Sequence, residues 1–111
     1  MITVTFMRRV ADRRILAFAI EGHANYAKYG KDIVCAGVSA ISVGTVNAIE
    51  ELAGVELPAK MKDGWLSSEI PTLSDPEADG RVQLLLESML VMLETITKSY
   101  GKHVVIHEKL R

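Results

Sequence analysis

The only thiol in this chain, Cys35, follows a histidine, His23, by twelve residues, and Asp32 stands three residues before the thiol. A thiolate is a strong nucleophile, and an imidazole within hydrogen-bond reach can take the thiol proton and later return it to a leaving amine. The pair therefore suits acyl transfer by a cysteine hydrolase. Read on these two residues alone, a second reading stands beside it, in which a single cysteine serves as a small buried hydrophobe.

Asp32 is a good N-cap for a helix running to about Leu52. That places Cys35 at about the third helical position, where backbone N–H groups lack intrahelical partners and the helix dipole favours negative charge. The amides of Cys35 and Ala36 are then candidate donors to a tetrahedral oxyanion. Ser39 and Ser42, one and two turns on, share the thiol's side of the helix; their hydroxyls serve either the thiolate or substrate, or simply bond to the preceding turn. For Asp32 the capping role suffices, and a further role in orienting His23 stays open. His103 and His107 are rival bases, but their alternating setting in a last strand reads as ordinary strand or surface placement.

The elements that must position these groups follow from period and punctuation. Ile2 to Arg8 alternates, a polar turn at Asp12 and Arg13 follows, and Arg14 to Glu21 is apolar on both faces, as in a central strand. Gly22 ends it. His23 to Lys31 has no sustained apolar period and reads as a loop. In the helix beginning at Asp32, the expected core stripe is Val34, Val38, Ile41, Thr45, Ala48 and Leu52, with Gly54 past its end. Gly37, Ala40 and Gly44 thin the opposite side enough for close approach of another element. Val55 to Met61 alternates as an edge strand, because Pro58 cannot donate to a ladder. Asp63-Gly64 then favours a tight turn into Trp65 to Ile70. Asp75-Pro76 opens a second helix, on which Val82, Leu85, Leu86, Met89, Leu93, Ile96 and Tyr100 keep helical spacing up to Gly101, and His103 to Glu108 supplies a last strand. The order ββαββαβ predicts an α+β fold, residues 1–111 as one domain, with two helices packed on a mostly antiparallel sheet.

Composition narrows the function classes. The chain has 111 residues, 49% hydrophobic and 24% charged, with a net charge of -1, as expected of a globular domain. That balance does not advertise a duplex-binding surface, although Arg8, Arg9, Arg13 and Arg14 cluster at the first hairpin. One cysteine makes no internal disulfide, and no Cys and His set has zinc-finger spacing, so neither a metal nor another cofactor is expected. A reducing cytoplasm and no membrane partner fit these features, the long apolar run from Ile33 being read as a buried helix.

The stretch "GHANYAKYGKDIVCAGVSAI", from Gly22 to Ile41, resembles the signature of the ribosomal-processing cysteine protease family, Prp. Gly22, His23, Ala24, Gly30, Asp32, Ile33, Val34, Cys35, Ala36, Val38 and Ser39 all fit its pattern, and Gly37 departs from the alanine more often expected there. The resemblance implies a cytoplasmic bacterial endopeptidase that removes a short amino-terminal extension from large-subunit ribosomal protein number twenty-seven. It assigns Cys35 as nucleophile, His23 as general base and acid, and Asp32 and Ser39 as supporting residues, and it implies a homodimer. Tyr26 and Tyr29 then become loop residues that pack on an apolar peptide, with Gly30 as hinge, in a loop expected to be open or disordered without substrate. Two alternatives remain. One is a non-enzymatic, ribosome-associated RNA-binding module, although direct nucleic-acid binding is not expected from the charge balance. The other is thiol redox sensing at Cys35.

Overall fold

Alternation builds the first strand as expected. In the computed structural model, which describes residues 1–111, β1 (Ile2–Arg8) buries Ile2, Val4 and Phe6 on one face and leaves Thr3, Thr5 and Met7 half-exposed on the other. It pairs antiparallel with β2 (Ile15–Gly22), and a bulge between Met7 and Arg8 brings Ile15 opposite Arg8. The bulge shifts side-chain parity, so Ile15 and Phe18 are both buried although they sit an odd number of residues apart. A large side chain buried this fully contributes about 1.5–3 kcal/mol.

Helix α1 (Ile33–Ala53) starts at Asp32 and ends at Gly54, which adopts the left-handed conformation at φ 71° that glycine enters without a Cβ penalty. Its buried stripe is Val34, Val38, Ser42, Thr45 and Ile49. This corrects the expected stripe at its far end, since Leu52 is 60% exposed and Ile49 takes the inward position. The expected edge strand also shortens. Ala59 N–H bonds back to Leu57 O at 2.7 Å, a three-residue turn centred on Pro58, and only Lys60–Lys62 forms strand β3. Lys62 pairs with Trp65 across the Asp63-Gly64 turn, which opens β4 (Trp65–Glu69). Helix α2 (Pro76–Tyr100) begins at the Asp75 cap with Pro76 in its first turn, and β5 (Val104–Leu110) closes the chain.

The five strands lie in the order β3-β4-β2-β1-β5, antiparallel except for the β1–β5 pair. The element order is ββαββαβ with β2 central, as the sequence predicts. The core residues of both helices and the inward residues of β1, β2, β4 and β5 form one hydrophobic cluster. Gly37 gives the close approach expected of a thin helix side, since a Cβ there would meet Ile96 Cδ1 of α2 at 3.3 Å. Helix α1 is long and apolar enough to cross a membrane, with a hydropathy of 1.6, yet its inward stripe joins the core. The end of β2, the start of α1 and the β3–β4 turn meet at one corner of the sheet.

Candidate active site

Cys35 is presented by the Asp32 cap. Asp32 Oδ1 accepts from the Val34 and Cys35 N–H groups, both at 3.0 Å, and Oδ2 accepts from Tyr26 N–H at 2.9 Å and Ala27 N–H at 3.2 Å. One carboxylate thus ties the preceding loop to the helix start. Partial burial acts to raise its pKa, but the N–H groups of Cys35, Ala27, Tyr26 and Val34 together outweigh this and hold the carboxyl below its ordinary value.

These bonds correct the expected oxyanion donors. The Cys35 amide is committed to the Asp32 side chain, and the Ala36 amide bonds to the Asp32 carbonyl at 3.0 Å. Both of Asp32's oxygens point to backbone donors of the loop and helix, so it caps and ties rather than orienting His23. The donor that does reach the sulfur is Ala24 N–H, 3.3 Å from Cys35 Sγ.

His23 leaves the end of β2 as an exposed side chain whose ring lies over the β3–β4 turn. A Cβ built on Gly64 would stand 2.7 Å from His23 Nε2, and Gly22 N–H bonds to Gly64 O at 2.8 Å. The turn therefore backs the imidazole at a position where only a hydrogen fits. Gly22 itself has φ 96°, and a Cβ there would meet the Met1 carbonyl oxygen at 2.4 Å. Glycine is required on both sides of this contact.

His23, Asp32, Cys35 and Ser39 line one open groove of about 610 Å³, floored by Ile2 and Ile20 of the sheet. Met61 and Trp65 flank it from the β3–β4 hairpin, and both are exposed large apolar side chains. Ser39 is exposed on the groove, whereas Ser42 is buried and its hydroxyl donates to Val38 O at 2.7 Å, the structural alternative left open for it. Of the three loop residues expected to meet substrate, Tyr29 and Gly30 reach the groove, together with Asn25 and Ala27; Tyr29 is 90% exposed and Gly30 is at φ 82°. Tyr26 does not line it. Its ring packs edge-on against Tyr100 at 5.4 Å and His103 at 5.3 Å, which places its aromatic surface against the end of α2 instead of a peptide.

Gly64, Ala24 and His103, which the sequence reading took as a turn residue, a member of the family pattern and a rival base set aside as strand placement, belong to this site. The Asp63-Gly64 dipeptide signals a turn without revealing that the turn meets a histidine. Ala24 carries no chemistry in its side chain, and its donor role rests on the backbone. His103 bonds through Nδ1 to Ala24 O at 3.0 Å, across 79 residues of sequence. His107, by contrast, is exposed and pairs with Thr5 on the sheet face turned away from the groove.

Comparison with known proteins gives concordant matches. Residues 1–105 match the family model described as cysteine protease Prp. Over 96 residues the chain is 48% identical to the ribosomal processing cysteine protease Prp of Bacillus subtilis (strain 168), covering 85% of this chain and 86% of that protein. Two crystal structures of the Staphylococcus aureus ribosomal processing protease Prp superpose over 98% of this chain and 100% of theirs. The complex with a covalently linked product peptide gives a TM-score of 0.87 at 33% identity, and the complex with a substrate peptide gives 0.81 at 32%.

Proposed function

Because the chain belongs to the Prp family of cysteine proteases, we propose that it is a cytoplasmic endopeptidase that removes a short amino-terminal extension from bacterial large-subunit ribosomal protein number twenty-seven. The observation that carries this reading is the placement of Cys35 at a capped helix start, its sulfur facing Ala24 N–H, in a groove shared with His23. The groove is of the size that takes several side chains of an extended peptide.

The mechanism follows from these groups. His23 takes the Cys35 proton, and the thiolate attacks the scissile carbonyl carbon, whose oxygen becomes the oxyanion. His23 then gives its proton to the leaving nitrogen as the C–N bond breaks, which leaves a thioester on Cys35. Water attacks the thioester with His23 again as base, releasing the extension as a carboxylate. In this reading the segment with Tyr29 and Gly30 closes over the bound extension and the Ser39 hydroxyl meets substrate; the support is that all three residues line the groove. Asp32 supports the reaction through the helix start.

A homodimer is part of the same reading. Its support is an apolar stripe on the outward side of α2, where Leu84 is 70% and Val91 62% exposed.

The test is incubation of wild type and Cys35→Ala with the unprocessed ribosomal protein, followed by intact mass spectrometry. Wild type is expected to remove a short amino-terminal peptide. Cys35→Ala is expected to remove none, and Cys35→Ser and His23→Ala to lose nearly all activity, on the order of a thousandfold. Cleavage by Cys35→Ala at the wild-type rate would overturn the assignment. Failure of both proteins to cleave would favour the RNA-binding alternative, with its salt-sensitive binding. Against that alternative, Arg8, Arg9 and Arg14 are already paired with Glu87 and Glu108, Asp12, and Asp79 respectively.

A further inference from the structure

We infer that His103 is a positioning residue for this reaction, acting through the backbone of Ala24. The inference rests on the assignment of Cys35 as nucleophile. Ala24 is 1% exposed, and both of its backbone polar groups are engaged: the N–H points at Cys35 Sγ at 3.3 Å and the carbonyl meets His103 Nδ1 at 3.0 Å. A carbonyl oxygen only accepts, so Nδ1 carries the proton in this contact. The bond therefore persists in both the neutral Nδ1–H tautomer and the imidazolium.

His103 is itself fixed. Its N–H bonds to Tyr100 O at 2.8 Å, its carbonyl accepts from Ile2 N–H at 2.8 Å, and its ring meets Tyr26 edge-on at 5.3 Å. A rigid path thus runs from the β1–β5 pair through the imidazole to the single donor facing the sulfur.

That donor serves two states of one reaction. While the sulfur carries the charge, the N–H stabilises the thiolate. Once sulfur bonds to the acyl carbon, the charge moves to the oxygen on that same carbon, one bond further on, and the N–H is placed to follow it. With the Cys35 and Ala36 amides committed to Asp32, Ala24 takes the role that helix-start amides were expected to fill. The carbonyl lies in the peptide after Ala24 and the N–H in the peptide before it. Pinning the carbonyl therefore fixes one of the two peptides that flank the buried Cα and limits the rotation by which the N–H could turn away, and a preorganised donor is what such a site requires.

Two substitutions separate this from a packing role. His103→Phe keeps a ring against Tyr26 and removes the donor, whereas His103→Asn restores an N–H near the Nδ1 position. Two readouts apply: peptide cleavage resolved into kcat and KM, and the rate of iodoacetamide alkylation of Cys35 at pH 7 without peptide. The second reports the thiol whether or not the proposed substrate is cleaved. His103→Phe is expected to lower kcat about tenfold with KM within about twofold, and to slow alkylation about threefold. His103→Asn is expected to recover most of both. Should His103→Phe fail to fold, as judged by its melting curve, His103→Leu is measured in its place. Wild-type kcat and alkylation in the variant lacking the donor would overturn the inference. So would equal impairment of a folded His103→Asn, a change confined to KM, or slower alkylation without loss of kcat. Wild-type cleavage by Cys35→Ala would instead remove the underlying assignment.

Discussion

Asp32 holds four backbone N–H groups on two carboxylate oxygens, two from the loop and two from the helix start. Its folded pKa is lowered, so its contribution to stability is present above the unfolded carboxylate range, near 3.8, and is lost as pH falls through the lower folded value. Asp32→Asn is therefore expected to melt below wild type at pH 7, with the gap narrowing as pH drops below about 4 and the wild-type carboxyl becomes protonated. At neutral pH the same substitution is expected to lower kcat/KM about tenfold, because the sulfur is misplaced relative to His23. Melting curves at several pH values check the first expectation and steady-state cleavage the second. A constant gap in melting temperature from pH 7 to pH 3 would contradict the charge-based account.

At the scale of elements, the loop between β2 and α1 is divided. Ala24 is buried, Tyr26 and Ala27 are tied to Asp32, and Tyr26 is packed on Tyr100 and His103, while Lys28 to Lys31 are exposed and carry the Gly30 hinge. The sequence expectation of a wholly open loop narrows accordingly. Hydrogen exchange with and without peptide is expected to differ mainly at Lys28 to Lys31, with Tyr26 and Ala27 protected in both states. Uniformly fast exchange from Ala24 onward in the free protein would contradict this division. The elements themselves were legible where local rules govern them: the Asp32 and Asp75 caps, the left-handed Gly54, the Asp63-Gly64 turn and the alternation of β1 all act within a few residues. The oxyanion expectation failed on a local rule as well, since an N-cap side chain takes the N–H two or three positions on, here that of Cys35. What was not legible was long-range. Nothing near His103 in the sequence reports that it meets Ala24, nothing near Gly64 that it meets His23, and nothing near Leu52 that Ile49 takes the inward position at that end of α1.

At the scale of the whole molecule, the sheet carries both helices on one face, and α2 presents Leu84 and Val91 outward without a partner inside the chain. If these residues form the proposed homodimer contact, light scattering behind size exclusion is expected to give a dimer for wild type and a monomer for Leu84→Glu combined with Val91→Glu. An unchanged dimer in the double variant would move the contact elsewhere.

The β1–β5 pairing has a consequence in the order of synthesis. Ile2 lies beside Val104, and His103 reaches Ala24 from the head of β5, so an early-made segment and a much later one meet beside Cys35. Pairing between segments so far apart in sequence is slow to form, because the two must find each other before any contact rewards the search. A nascent chain that has released residues only up to about position 100 already contains Cys35 and His23 but lacks the segment that fixes their surroundings. Competence for the proposed cleavage would therefore arrive only with β5, and a growing chain would be kept from cutting its neighbours until that strand is made.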